Sequence, residues 1–391
     1  ADLGNSNAMN NYACMLETGE GGPINKEEAI KYYQMAIEKG NSSAMYNYGC
    51  MLKQDNFKEE SIKYFEMAIE KGNSQAMFNY ATMLDQGNGI QSNKKLAIKY
   101  YQMAINLGNI DAMNSYAYML EKGIGVKMDK KQAADYYKIA ADLGNSNSMG
   151  NYARMIHEDK NSSVDKSTAV IYYKMAIERG NSAAMNNYAK MLELGDGVPV
   201  DKSEAIRLYK MAIEKSNSHP MNNFAHMLER GDGIPTNKEE AIKYYQMAIK
   251  YGSVSAMNNY AHMLKHDPNS DKSIVASYYK MAADKGNCNA MNNYAIMLQI
   301  GEGIEANKYK AVRYYKMAIE KGNIASMINY AFMLQSGDGI DVNLEEAAHL
   351  FKQAADLGNC DAMYNYAMML EHGNGIEMNK REAVSYYKMA I

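Results

Sequence analysis

The 391-residue chain carries 42 Lys and Arg against 45 Asp and Glu, a formal charge of −3, so it lacks the basic excess expected of a nucleic-acid sleeve. No apolar run is long enough to span a bilayer, no secretory signal is visible, and the four cysteines form no metal or redox motif, which together suggest a reduced, cytoplasmic protein. Length alone suggests two or three domains, but an internal repeat replaces that expectation with one array over 1–391, because repeat units pack only on their neighbours.

The chain opens with Ala-Asp-Leu-Gly-Asn-Ser at Ala1–Ser6, a string that returns at Ala141–Ser146, where one repeat closes and the next begins. It stops at Ile391 inside another repeat, and neither end shows a polar cap. The expectation is therefore an excerpt of a longer chain with flanking domains, or an array that stacks end to end.

The first unit, Asn5 to Gly40, sets the pattern. Ala8, Met9, Tyr12, Ala13 and Leu16 follow helical spacing, and Gly19-Glu20-Gly21 breaks that helix. Asn25, with Glu28 three places on, reads as an N-cap and capping box. Ala29, Tyr32, Tyr33, Ala36 and Ile37 form the second apolar stripe, and Gly40 closes the unit as a left-handed C′ residue.

The unit is organised around an octet, Met-Asn-Asn-Tyr-Ala-Lys-Met-Leu at Met185–Leu192, with variants that begin at Met9, Met45, Met77, Met113, Met149, Met221, Met257, Met291, Met327 and Met363. Its recurrence sets eleven repeats at 5–40, 41–72, 73–108, 109–144, 145–180, 181–216, 217–252, 253–286, 287–322, 323–358 and 359–391. The expected fold is an all-α α/α solenoid of helix-turn-helix units. The fifth octet position is always Ala or Gly, and the slot of Ala36 is Ala in every copy through Ala390, which lets helices approach closely. Of the 34 methionines, eleven hold the first octet position, eleven the seventh and nine a fixed second-helix slot, all read as core filler. Three connections depart: Lys53–Lys58 lacks four residues, His266–Asp271 lacks two, and Glu158–Asp165 loses the glycines.

Ala112, Tyr116-Ala117, Leu120, Gly123, Gly125-Val126, Asp129, Ala133, Tyr136-Tyr137, Ala140-Ala141 and Gly144 fit one pattern in register, and that pattern resembles the Sel-one-like repeat family, a relative of tetratricopeptide repeats. The chain uses Tyr where that family uses Trp, and its Asn-Tyr-Ala-x-Met-Leu flavour is similar to large repeat families of some protists. The resemblance implies a right-handed superhelix of antiparallel helix pairs, with the first helices lining a concave side. It also implies an adaptor or scaffold for protein complexes, although a fold does not name a partner.

The third octet position is Asn in ten repeats: Asn11, Asn47, Asn79, Asn151, Asn187, Asn223, Asn259, Asn293, Asn329 and Asn365. In tetratricopeptide arrays an Asn at this place, as in O-linked N-acetylglucosamine transferase, holds peptide backbone, and the resemblance carries that role onto these ten. An amide offers both a donor and an acceptor, as an extended peptide requires. The same amides can instead bond neighbouring helices and fix repeat stacking, and sequence leaves both readings open.

The sixth position varies, as a specificity stripe would. Arg154, Lys190, His226 and His262 fall together in the middle, with Ile296, Phe332 and Met368 toward the C-terminus. This predicts a groove suited to an extended partner protein or peptide that is acidic in its middle. His226 and His262 lack a third ligand, and the Gly-Asp-Gly loops lack the alternating carboxylates of a calcium site. Gly-x-Gly joins two helices rather than following a strand, so it is no dinucleotide fingerprint, and no catalytic constellation appears.

The expectation is a non-enzymatic interaction scaffold without cofactor, metal, nucleic acid or membrane. The alternatives are a structural component of a cytoskeletal or filamentous assembly, or the regulatory array of a larger multidomain enzyme such as a protist kinase.

Overall fold

A computed structural model describes residues 4–159, 165–215 and 217–391, and among them it contains twenty-two α-helices and no strand. The opening Ala1–Leu3, most of the glycine-less connection between Glu158 and Asp165, and Ser216 lie outside the described residues. The chain forms two compact units, Ala1–Met191 with Gly195–Pro199, and Leu192–Leu194 with Val200–Ile391.

The first unit holds α1 (Ser6–Thr18), α2 (Lys26–Glu38), α3 (Ser42–Gln54), α4 (Lys58–Glu70), α5 (Ser74–Gln86), α6 (Lys94–Asn106), α7 (Ile110–Lys122), α8 (Lys130–Asp142), α9 (Ser146–Glu158), α10 (Lys166–Glu178) and α11 (Ser182–Leu194) as far as Met191. The second holds α12 (Lys202–Glu214), α13 (Ser218–Arg230), α14 (Lys238–Lys250), α15 (Val254–Lys265), α16 (Lys272–Asp284), α17 (Cys288–Ile300), α18 (Lys308–Ile319), α19 (Ile324–Ser336), α20 (Leu344–Asp356), α21 (Cys360–His372) and α22 (Lys380–Ala390). Within each unit a helix packs chiefly on its neighbours in the sequence. No helix among the described residues is long and apolar enough to cross a membrane.

Caps set the helix ends. Asn5 Oδ1 accepts from the N–H groups of Asn7 and Ala8 at 3.0 and 3.1 Å, and Gly19, at φ 77°, returns its N–H to Met15 O. Asn25 Oδ1 accepts from Glu28 N at 3.1 Å while its Nδ2 donates to Glu28 Oε2 at 2.9 Å. This is a side-chain form of the capping box, because the Asn25 N–H is already given to Leu16 O. Asn or Asp caps every second helix but α4, which starts after Phe57 with no side-chain cap. There the shortened connection turns through Asn56, a non-glycine residue at φ 68°.

The core runs along the facing stripes. Ala29, Tyr33 and Ala36 of α2 are fully buried against Met9 and Ala13 of α1. Gly49 is the smallest form of the close-approach slot, since an added Cβ would stand 2.9 Å from the Phe65 ring. Octet aromatics meet the first Tyr of the following helix edge to face, as in Tyr152 with Tyr172 at 4.9 Å and 87°.

One expectation fails here. First-position methionines are buried, but the second-helix methionines lie at the rim, with Met35 38%, Met247 42% and Met281 43% exposed. Ala29, Tyr33 and Ala36 occupy the i, i+4, i+7 stripe of α2, which leaves Met35 about a hundred degrees off the core direction.

Candidate functional site

The Asn row lies on the first helices and is bonded between repeats. In the first unit, Asn47 Nδ2 donates to Asn10 Oδ1 at 3.0 Å and Asn151 Nδ2 to Asn114 Oδ1 at 3.2 Å. In the second, Asn259, Asn293 and Asn329 donate to Asn222, Asn258 and Asn292 at 3.0, 3.4 and 2.9 Å. Each of these bonds goes to the second octet residue of the preceding repeat, and Asn47 also donates to Cys14 Sγ at 3.3 Å. Asn79 donates to the Tyr46 hydroxyl at that position, at 3.1 Å.

Where that residue has no acceptor, the rung is not formed. Asn187 follows Gly150 and instead accepts from Asn186 Nδ2 at 3.2 Å. Asn365 follows Ile328 and turns to its own helix, donating to Asp361 O at 2.7 Å. Asn11, in the first repeat, accepts from Asn10 of its own helix. An amide has two N–H donors and two lone pairs, so a rung with one neighbour bond keeps capacity for a ligand.

A second amide row was not anticipated. Asn41 caps α3 by accepting from Ala44 N at 2.9 Å, while its Nδ2 donates to Asn7 Oδ1 of the preceding repeat at 2.8 Å. Asn145, Asn181 and Asn323 bond Asp111, Asn147 and Asn289 in the same way, each at 2.9 Å. The recurrent Gly-Asn at the repeat junctions was the signal.

The sixth-position residues are not equivalent. Arg154 donates to Glu121 Oε2 at 2.7 Å and to Glu158 Oε2 at 2.9 Å. Glu121, a buried carboxylate with 5% of its side chain exposed, also meets Lys122 at 2.5 Å. Burial pushes its carboxyl up, but Lys122 and Arg154 together outweigh that and hold it below the usual carboxylate range. Burial likewise acts to lower the Arg154 guanidinium, and Glu121 and Glu158 outweigh it, so the cation is strengthened. A cavity of ≈ 560 Å³ beside this pair has a mixed lining that includes Lys131, Asp135 and Tyr152.

Lys190 is exposed and His226 half-buried. His262 sits with its Nε2 3.3 Å from His266 Nε2. Burial first, then the neighbouring His266, holds the His262 imidazole below its ordinary range. The apolar members stand open: Tyr118 is 47% exposed with the Lys122 ammonium 5.9 Å above its ring, and Phe332 is 44% exposed against the edge of Phe351. The Gly-Asp-Gly carboxylates of Asp196, Asp232 and Asp338 pair with Lys166, Lys202 and Lys308 at the start of the preceding second helix. Among the described residues no three His, Cys, Asp or Glu side chains are grouped to hold a metal ion.

The Sel1 repeat pattern matches eleven times, at 6–41, 42–73, 74–109, 110–145, 146–181, 182–217, 221–253, 254–287, 288–323, 324–359 and 360–391. The chain belongs to the Sel1 repeat family. Its fold is the α/α solenoid of that family, whose members are generally non-catalytic scaffolds for protein interaction.

Among solved structures, the chain is similar to c5321, a protective antigen of uropathogenic Escherichia coli strains displaying an SLR fold. That likeness has 22% identity and a TM-score of 0.63, and covers 100% of this chain and 85% of that one. A Sel1 repeat protein from Oxalobacter formigenes is also similar, at 20% identity and a TM-score of 0.51 over 80% of this chain and 91% of that one. Both likenesses concern the fold. Comparison with curated proteins gave no match.

Proposed function

We propose that this Sel1 array is a non-catalytic scaffold that takes an extended segment of a partner protein along the edge formed by its first helices. The supporting observation is the contrast between octet positions. Positions one, four, five and eight repeat almost unchanged and, beyond the first repeat, are buried or nearly so in the stack, whereas the sixth changes from repeat to repeat and in Tyr118, Lys190, Phe332 and Met368 stands open to solvent. The third-position amides lie one helical turn before it on the same face. Among them Asn365 donates to a carbonyl of its own helix and not across repeats, so it is the rung best placed to meet a peptide group.

The acidic preference is narrower than the letters suggest. In the first unit Arg154 is neutralised by Glu121 and Glu158, which leaves the exposed Lys190 as the cation of the stripe there. The partner is then a peptide with apolar residues flanking a short polar or acidic stretch.

The test is capture with the intact chain and mass spectrometry of what is retained, repeated with Phe332→Ala, Tyr118→Ala and Lys190→Glu. All three sites are exposed, so the variants should fold. A partner held by the parent chain and lost by the variants supports this reading. Equal retention by all four proteins would sink it.

A further inference from the structure

Reading His226 with His262 overlooks a closer neighbour. The connection after α15 is two residues short, and His266 stands at the position that closes the first helix in the other repeats. It caps α15 at φ −85° and ψ −3°, still right-handed, so His262 and His266 lie one helical turn apart on the same face. Their rings are 4.6 Å apart between centroids, and the two Nε2 atoms converge to 3.3 Å.

We propose that His262 and His266 form a two-ligand site for a divalent transition ion of the zinc, copper or nickel class, with water filling the remaining positions. Two metal–nitrogen bonds of about 2.0–2.1 Å meeting at the tetrahedral angle place their nitrogens about 3.3–3.4 Å apart, which is the spacing seen. Imidazole nitrogen suits these ions and not calcium or magnesium. Both rings are exposed, so water can complete the coordination sphere.

The surroundings favour a cation. The pair sits at the carbonyl end of α15, where the helix dipole is negative. The Glu229 carboxylate of the preceding repeat adds negative charge to His262, and the Lys265 ammonium lies 4.0 Å from Glu302. Lys265 and His226 oppose the cation, and with two protein ligands the site belongs to the micromolar rather than the structural class. The same spacing also fits one N–H···N hydrogen bond between two neutral rings, so the decision rests on titration.

The experiment titrates Zn²⁺ into the intact chain in competition with a chromophoric chelator, for the parent and for His262→Ala, His266→Ala and His372→Ala. His372 is the control: it sits at the end of α21 and its Nδ1 lies 2.9 Å from Met368 O. The parent should bind one ion per chain that both His262→Ala and His266→Ala lose and His372→Ala keeps, with circular dichroism unchanged throughout. A parent that binds no more Zn²⁺ than the His262→Ala or His266→Ala variant overturns the proposal. So does loss in only one of those two, because a chelate needs both rings.

Discussion

Tyr33 donates its hydroxyl to Glu17 Oε2 at 2.7 Å, tying the core aromatic of α2 to the residue that follows the octet in α1. The tie recurs at 2.8 Å from Tyr209 to Glu193, 2.7 Å from Tyr245 to Glu229, and 2.9 Å from Tyr315 to Gln299. Where Lys53 or Gln335 follows the octet, the aromatic is Phe65 or Phe351, with no hydroxyl to satisfy. Where His157 or Lys265 follows it, the Tyr173 and Tyr279 hydroxyls are buried without a hydrogen-bond partner.

The same substitution should therefore act with opposite signs. Tyr33→Phe deletes a bond to a carboxylate and should cost about 1–2 kcal/mol, whereas Tyr279→Phe removes an unsatisfied buried hydroxyl and should gain about 1 kcal/mol. Urea midpoints of the two variants against the parent decide it. Shifts in the same direction would refute the tie as a source of stability.

These phenols also set an alkaline limit. Burial, joined by Cys14 and Glu17 for Tyr33 and by Glu229 for Tyr245, raises their pKa well above the ordinary phenol value. Burial and Glu66 push the less enclosed Tyr80 up to about 12. A raised folded-state pKa means that the stabilisation is intact below about pH 10, the unfolded value, and is lost as pH rises beyond it. Phenolate absorbance should rise together with loss of helical circular dichroism above that pH. Full phenolate absorbance with the helices intact would contradict the assignment.

Turn geometry separates two glycines of the second unit. Gly252 has φ +83° with open space around a built Cβ, while Gly233 has φ +73° and its Cβ would stand 2.5 Å from Lys202 Cβ. Gly252→Ala should cost about 1–2 kcal/mol for the left-handed backbone alone. Gly233→Ala adds a clash of about 1–3 kcal/mol, so its denaturation midpoint should fall further. Equal midpoints would show that the connection yields.

Periodicity made the helices, caps and core Ala and Tyr legible, because each of those roles depends on spacing within one repeat. What it hid are relations between repeats. Arg154 reads as a free cation until Glu121, 33 residues earlier, is found against it. His266 reads as the start of a shortened connection, yet it stands at the position that ends the first helix in the other repeats. The second-helix methionines share the regular spacing of the core but stand at its edge, half-buried as in Met317 or exposed as in Met35, since residues such as Tyr33 and Ala36 already fill the core direction. The Asn row was legible as a row, but its acceptors at the second octet position were not.

That row offers the last prediction. Asn222 and Asn292 are buried, and their carbonyl oxygens accept from Asn259 and Asn329 of the next repeat. Asn259→Ala leaves the buried Asn222 carbonyl without its donor, which should cost about 1–3 kcal/mol, whereas Asn292 keeps the Ser326 hydroxyl at 3.1 Å, so Asn329→Ala should cost about 0.5–1.5 kcal/mol. Asn365 bonds only the Asp361 carbonyl of its own helix, so Asn365→Ala should change stability by less than about 0.5 kcal/mol. If the row serves stacking and peptide binding together, Asn365→Ala weakens partner capture without a stability loss, while Asn259→Ala and Asn329→Ala lower both. Denaturation and capture measured on the same three variants separate the two roles. A row in which all three lose stability equally is a stacking device alone.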